Sequence, residues 1–321
     1  MNAQYLARAA VIALAWLAVV NLAATIAVAI AAPRVARARR AGSSASTWLA
    51  LRLLPASASL IFVALLFLPS YFRYEPRDPG EGVDATLAAL AVAAAAIVLT
   101  GAARGIASWR RASRRSRAWI RSARPIALSG APLAAYEVPI DAPMMALAGV
   151  IRPRLIVTRG LVRTLTVDEL RASVAHEVGH WHAADNLKRL AMRAAPDFLF
   201  ATRTASAIES RWAAAAEHAA DRRACADPDA RCALASALVK VAKLTPTRTP
   251  LADPISTLVD GGDVASRVRR LLDDAEPAAR SRSRWRLPLA AAAATAALAI
   301  AYTPLLRLVH DATEILVNTL P

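Results

Sequence analysis

His176-Glu177-Val178-Gly179-His180 sets two imidazoles four residues apart with a carboxylate between them. Residues four apart on a helix share a face, so both rings can offer a nitrogen to one metal ion. Glu177 then projects beside them, close enough to take a proton from an attacking water without being a ligand. A catalytic zinc needs three protein ligands and an open position. Glu217 is the best third ligand, and its neighbour His218 is the alternative, because a helix turns only one of the two fully inward. Asp221, one turn after Glu217, can accept the second N–H of a ligating histidine, and Asp185 can serve in the same way. The implied chemistry is hydrolysis at one catalytic Zn2+, which brings the pKa of water to about 7. Glu177 then acts as base towards that water and as acid towards the leaving amine.

Histidine is concentrated here. Of five in the chain, four (His176, His180, His182 and His218) fall in this stretch. His182 lies about 200° round the helix from His180, which suits a surface or packing position. Cys225 and Cys232, seven apart on a predicted helix, read as reduced packing thiols and not as a disulfide.

The elements that must position these groups are mostly helical. Thr166-Val167-Asp168-Glu169 has the capping-box form and starts a helix expected to run to about Leu190, with Leu170, Val174, Val178 and Trp181 as its packing stripe. A second helix is expected from Ala205 to Ala226, and Asp227-Pro228 opens a third carrying Leu234, Leu238 and Val241. Gly261-Gly262 precedes a short helix from Val264 to Leu272. Short apolar runs such as Tyr136–Ile140 are expected as strands and turns, and Gly149-Val150-Ile151 leads through Arg152-Pro153-Arg154 to a strand at Leu155–Thr158, closed by Gly160 and offering its edge to an extended peptide.

The rest of the chain is membrane-grade. Hydrophobic residues make up 56% of 321 and aromatics only 5%, with mean hydropathy +0.36. Uncharged runs at about 9–33, 53–72, 85–103 and 287–306 each have the length a helix needs to cross a bilayer. The first is read as an uncleaved anchor, because Arg34, Arg37, Arg39 and Arg40 follow it. The net charge of +16 alternates in sign as the positive-inside rule requires. Arginines crowd residues 104–124 and 280–286, whereas Glu75, Asp78, Glu81 and Asp84 offset the second loop. The expected topology is N-terminus outside, residues 104–286 cytoplasmic and a short tail, 307–321, outside, in a bacterial-type inner membrane. Residues 104–124 are expected to lie on anionic headgroups with Trp109 and Trp119 as interfacial anchors. That placement accounts for the positive charge without nucleic acid, and no direct nucleic-acid binding is expected.

The fold class is thus a mainly α integral membrane protein. Residues 1–103 hold three spans, a cytoplasmic α+β zincin-like domain occupies 104–286, and the fourth span follows it. In this order the chain resembles the membrane metallopeptidases of the BlaR/MecR type, peptidase family fifty-six, within the gluzincins. The resemblance rests on Arg152-Pro153-Arg154-Leu155-Ile156-Val157-Thr158-Arg159-Gly160-Leu161, on Asp168-Glu169-Leu170 leading to His176–His180, and on Asp185-Asn186-Leu187. Glu217-x-x-x-Asp221 and Arg267-Val268-Arg269-Arg270-Leu271-Leu272 complete it.

It implies that His176, His180 and Glu217 bind zinc and that Glu177 is base and acid. The domain would be a zinc metalloendopeptidase cutting a cytoplasmic protein, such as a transcriptional repressor, in response to an external signal. In the antibiotic-sensing members the fourth span leads to a large β-lactam sensor. Here the sequence stops at Pro321, so the input is expected through the second loop, the membrane or a partner. HtpX-type quality-control peptidases share the zinc motif, usually with two spans on either side of it, and form the alternative. A membrane scaffold with a closed, structural zinc is a third reading.

Overall fold

The computed structural model describes residues 3–38, 44–76, 84–225, 227–244, 255–257, 264–273 and 286–319, without the side chains of 255–257, 286–300 and 318–319. Helix α1 spans Ala3–Ala38. Helices α2 (Ala45–Phe62) and α3 (Leu68–Tyr74) are joined by a π-helical turn at Val63–Phe67. Helix α4 runs unbroken from Ala85 to Arg121. Three stretches, Ala3–Ala38, Ala45–Tyr74 and Ala85–Arg121, are long and apolar enough to cross a membrane.

A buried amide inside this bundle is fully paired, as burial of a polar group demands. Asn21 of α1, fully buried, donates to Pro55 O and Ser59 Oγ of α2 and, at 2.9 Å, to Pro196 O of the following domain. Its own carbonyl accepts the Phe198 amide at 3.1 Å. One side chain therefore ties two of these long apolar helices to the domain beyond them.

Helix α4 leaves the apolar region without a break and carries the basic run with it. Gly101 and Gly105 let α4 approach α7 (Asp185–Ala194), since a Cβ at either position would meet Ala194 at 2.8 or 2.7 Å. Trp119 is not an interfacial anchor. It packs on Ala146 and on Val138, Ala148 and Ile156, the outer face of the sheet.

That sheet has strands β1 (Arg124–Ile126), β2 (Ala135–Val138), β3 (Met145–Ala148), β4 (Arg154–Thr158) and β5 (Ile255–Thr257) in the order β1-β2-β4-β3-β5. Only β2 and β4 run parallel. Strand β4 is central, so Leu155–Thr158 has no free edge to offer a peptide. The edges are β1 and β5. With φ +105° Gly149 turns the chain at the end of β3, and Val150 and Ile151 lie in the turn that leads on to β4.

After a short α5 (Arg159–Thr164), α6 (Val167–His182) starts at Thr166. The capping box is formed, with Glu169 N donating to Thr166 Oγ1 at 3.3 Å and Thr166 N to Glu169 Oε2 at 2.8 Å. Helix α6 does not continue to Leu190. It stops at Ala183, Ala184 adopts a left-handed φ of 53°, and α7 starts afresh at Asp185. The packed face of α6 is set by Ala172, Ser173 and Val174, with Leu170 and Val178 half-buried against the same core. Helices α8 (Arg203–Ala224) and α9 (Pro228–Leu244) cover it. Helix α10 is Val264–Leu272 and α11 is Arg286–Thr319.

Helix α11 takes in the fourth apolar run and continues through the segment expected to be a short tail. Its distal half packs on α1 and α3: Ser70 donates to Leu306 O and Trp16 to Thr313 Oγ1. Tyr302 donates to Leu65 O at 2.8 Å, satisfying a carbonyl of the π-helical turn.

Candidate metal centre

Helix α6 is where the site begins, and its geometry needs a bare surface at one point. Gly179 faces α8, and a Cβ there would stand 3.2 Å from Ala220 Cα. The two helices therefore approach closely, and α8 delivers Glu217 and Asp221 to the face of α6 that carries His176 and His180. All four residues are buried, with at most 3% of the surface of each exposed.

The ligand atoms of His176, His180 and Glu217 lie within 4.8 Å of one another. The two Nε2 atoms are 3.2 Å apart, and Glu217 is 3.5 Å from His176 Nε2 and 3.3 Å from His180 Nε2. Two atoms each 2.0–2.1 Å from a tetrahedral zinc sit about 3.4 Å apart. The residues present therefore fit that ion.

Each imidazole is held from behind by a carboxylate. His176 Nδ1 lies 3.0 Å from Asp221 Oδ1, and His180 Nδ1 lies 2.8 Å from Asp185 Oδ2. The second contact explains the break after α6. In a continuous helix Asp185, five residues on, would point about 140° away from His180, and the left-handed turn at Ala184 brings it back. Asn186 fixes the new helix by donating to Leu147 O and Gly149 O, each at 2.9 Å.

The centre favours positive charge. Burial lowers the His180 imidazole, but Glu217 and Asp185 outweigh it and push it up to about 10. His176 is raised in the same way by Asp221 and Glu217 against its burial. Burial also works to raise Glu217, yet the imidazoles and Arg267 hold it well below the usual carboxylate range. Glu177 differs from these. Burial raises it, and neither of its oxygens has a hydrogen-bond partner among the described residues. A buried carboxyl left with open acceptors and a raised pKa suits a group that takes and gives a proton.

His182 is exposed and His218 half-buried, and neither joins the cluster. Cys225 is half-buried, with its thiol pushed up to about 11 by burial and Asp221, and Cys232 is exposed, so packing does not account for the latter. One residue of the centre had no role assigned from sequence. Arg267 of α10, 3% exposed, reaches Glu217 Oε2 at 3.0 Å and both oxygens of Asp221. Its only sequence signal is the motif Arg267–Leu272, which does not say which of three arginines turns inward.

Residues 111–258 match the model of Peptidase family M48. The match covers somewhat less than half of the chain, marks this part of it as similar to a metallopeptidase and takes in His176, Glu177, His180, Asp185, Glu217 and Asp221. Arg267 lies beyond it. The matching model is that of family M48 and not of family fifty-six, to which the order of motifs points. No curated protein matches the chain. A peptidase domain thus sits among helices apolar enough for a membrane.

Proposed function

We propose that the protein is an integral-membrane zinc endopeptidase that hydrolyses peptide bonds of a cytoplasmic protein. The observation that carries this is the convergence of His176, His180 and Glu217 at tetrahedral spacing beside a buried, unpartnered Glu177. Bound there, zinc would supply Lewis-acid polarisation and an acidified water. Glu177 accepts the proton of the attacking water and returns it to the leaving amine. Asp221 and Asp185, beside Nδ1 of His176 and of His180, would orient the two rings and leave Nε2 of each free to hold the ion.

Regulated proteolysis is the biological reading, with a repressor as one class of substrate and the bilayer as constant partner. It supposes four spans in an inner membrane, with both chain ends outside. Its support is the alternation of arginines along the sequence and the length of α11. A quality-control peptidase of the HtpX type stands second, because the matching family is not the one the motif order resembles. The scaffold reading is disfavoured, since the cluster holds three ligands among the described residues and a closed site needs four.

The deciding experiment compares wild type with Glu177→Gln. The variant should bind one zinc as wild type does, and proteome-wide terminal labelling should show the wild-type cleavages gone. Unchanged cleavage would remove Glu177 from the mechanism.

A further inference from the structure

At the junction of the membrane helices and the peptidase domain lies an open cavity of about 90 Å³ lined by Arg52, Arg104, Arg193, Phe200, Ser206 and Glu209, among others. Its charge is unbalanced. Arg52 is spent, with Nε on Glu209 at 2.8 Å, Nη1 on Asp197 at 2.7 Å and Nη2 on Met192 O at 2.9 Å. Arg104 is not. It stacks on Phe200 at 3.8 Å and gives Nη2 to Ala195 O, while its buried Nε has no acceptor. Arg193 reaches Glu209 only at 3.6 Å, beyond hydrogen-bond range. The cavity thus offers guanidinium donors from two arginines, and its lining acid, Glu209, is already engaged by a third.

Position narrows the ligand. Arg52 is the last residue before the uncharged run 53–72, and Arg104 the first after the run 85–103. Both therefore mark one boundary of the apolar region, where lipid phosphates lie. Arginine forks match phosphate oxygens in geometry and charge. We propose that this cavity binds the phosphate of a membrane lipid headgroup.

The occupant would be linked to the metal centre by two rigid elements. Glu209 and Glu217 lie on α8, eight residues or about 12 Å apart. Arg193 and Asp185 lie at opposite ends of α7. The inference rests on the membrane placement of α2 and α4 and not on peptidase activity, so either can fail alone.

Native mass spectrometry of the full chain, stripped of lipid in detergent, tests it with phosphatidylglycerol and with diacylglycerol, which has no phosphate. Wild type should bind phosphatidylglycerol and not diacylglycerol, and Arg104→Gln and Arg193→Gln should each weaken binding about tenfold. Arg193 is 42% exposed, so its variant keeps the test open should Arg104→Gln not fold. Equal binding by wild type and the folded variants, or equal binding of the two lipids, would overturn the proposal. Inorganic phosphate titrated into lipid-free protein separates the sources. Binding that the same substitutions abolish supports the site with a soluble anion as ligand, lipid binding alone supports the headgroup, and binding of neither overturns the site. Repeating the lipid titration on Glu177→Gln should change nothing, whatever that variant does to proteolysis.

Discussion

Arg267 grips Asp221 with two hydrogen bonds, 2.9 Å from Nε and 2.6 Å from Nη2, while Asp221 also lies 3.0 Å from Nδ1 of His176. One carboxylate therefore transmits the position of α10 to a ring on α6. The same guanidinium reaches Glu217 at 3.0 Å, so it steadies two carboxylates of the candidate centre.

Arg267→Gln should accordingly lower zinc affinity by about 10–100-fold, the usual effect of losing a group that orients ligands. Competition against a chromophoric chelator measures this directly. Arg267→Lys should recover only part of the loss, because an ammonium cannot reproduce the two-pronged contact. Affinity unchanged in both variants would make Arg267 a packing residue only.

Gly179 gives a prediction about size. An alanine there would press on Ala220 Cα at 3.2 Å, a cost that its better helix propensity, about 1 kcal/mol, offsets. Valine adds two methyls with no room for them and should destabilise by about 1–3 kcal/mol. Thermal unfolding of the two variants should thus separate them clearly. The valine variant should also lose zinc, because α8 can no longer bring Glu217 close.

Acid should loosen the packing of α6 on α9 through Glu169. Burial raises this carboxyl, but Lys240, Ser236 and the Thr166 amide together outweigh burial and hold it below its ordinary value of 4.5. A depressed pKa stabilises the fold above 4.5, and that stability is lost as pH falls through the lower, folded value. Denaturant titrations of wild type and Glu169→Gln should differ by about 1–3 kcal/mol at pH 7 and converge in acid. A constant difference across the range would show that the proton plays no part.

Thiol chemistry should distinguish the two cysteines. Cys225 is half-buried with its pKa at about 11, and Cys232 is exposed. Maleimide at neutral pH should label Cys232 first and leave Cys225 until the protein unfolds, as peptide mass mapping would reveal. Simultaneous labelling would mean that Cys225, at the end of α8, is not packed on the core as described.

The pairing of His176 with His180 is readable in sequence because helical spacing is a local code, whereas Glu217 is brought to them by the close approach of α8 to α6 at Gly179. The break at Ala183–Ala184 is not readable. Left-handed backbone is ordinarily marked by glycine or asparagine, and here an alanine is held in it by the tertiary contacts of Asp185 and Asn186. Strand β3 is hidden for a similar reason. Met145-Ala146-Leu147-Ala148 is a helix former by composition, and pairing on both sides with β4 and β5 overrides it. Arg267 was one of three arginines in a six-residue motif, and only the buried acids of α8 select it.

Helix α4 has no proline, no π turn and no break from Ala85 to Arg121. It has no joint at which motion could be absorbed. Gly101 sits beside Ala194 and Pro196, and Trp119 is embedded in the outer face of the sheet, about 27 Å further along. A tilt of α4 by about 10°, pivoting at Gly101, would displace Trp119 by about 5 Å. The sheet must follow that swing or strain against it, so α4 couples the apolar helices to the domain as a stiff lever.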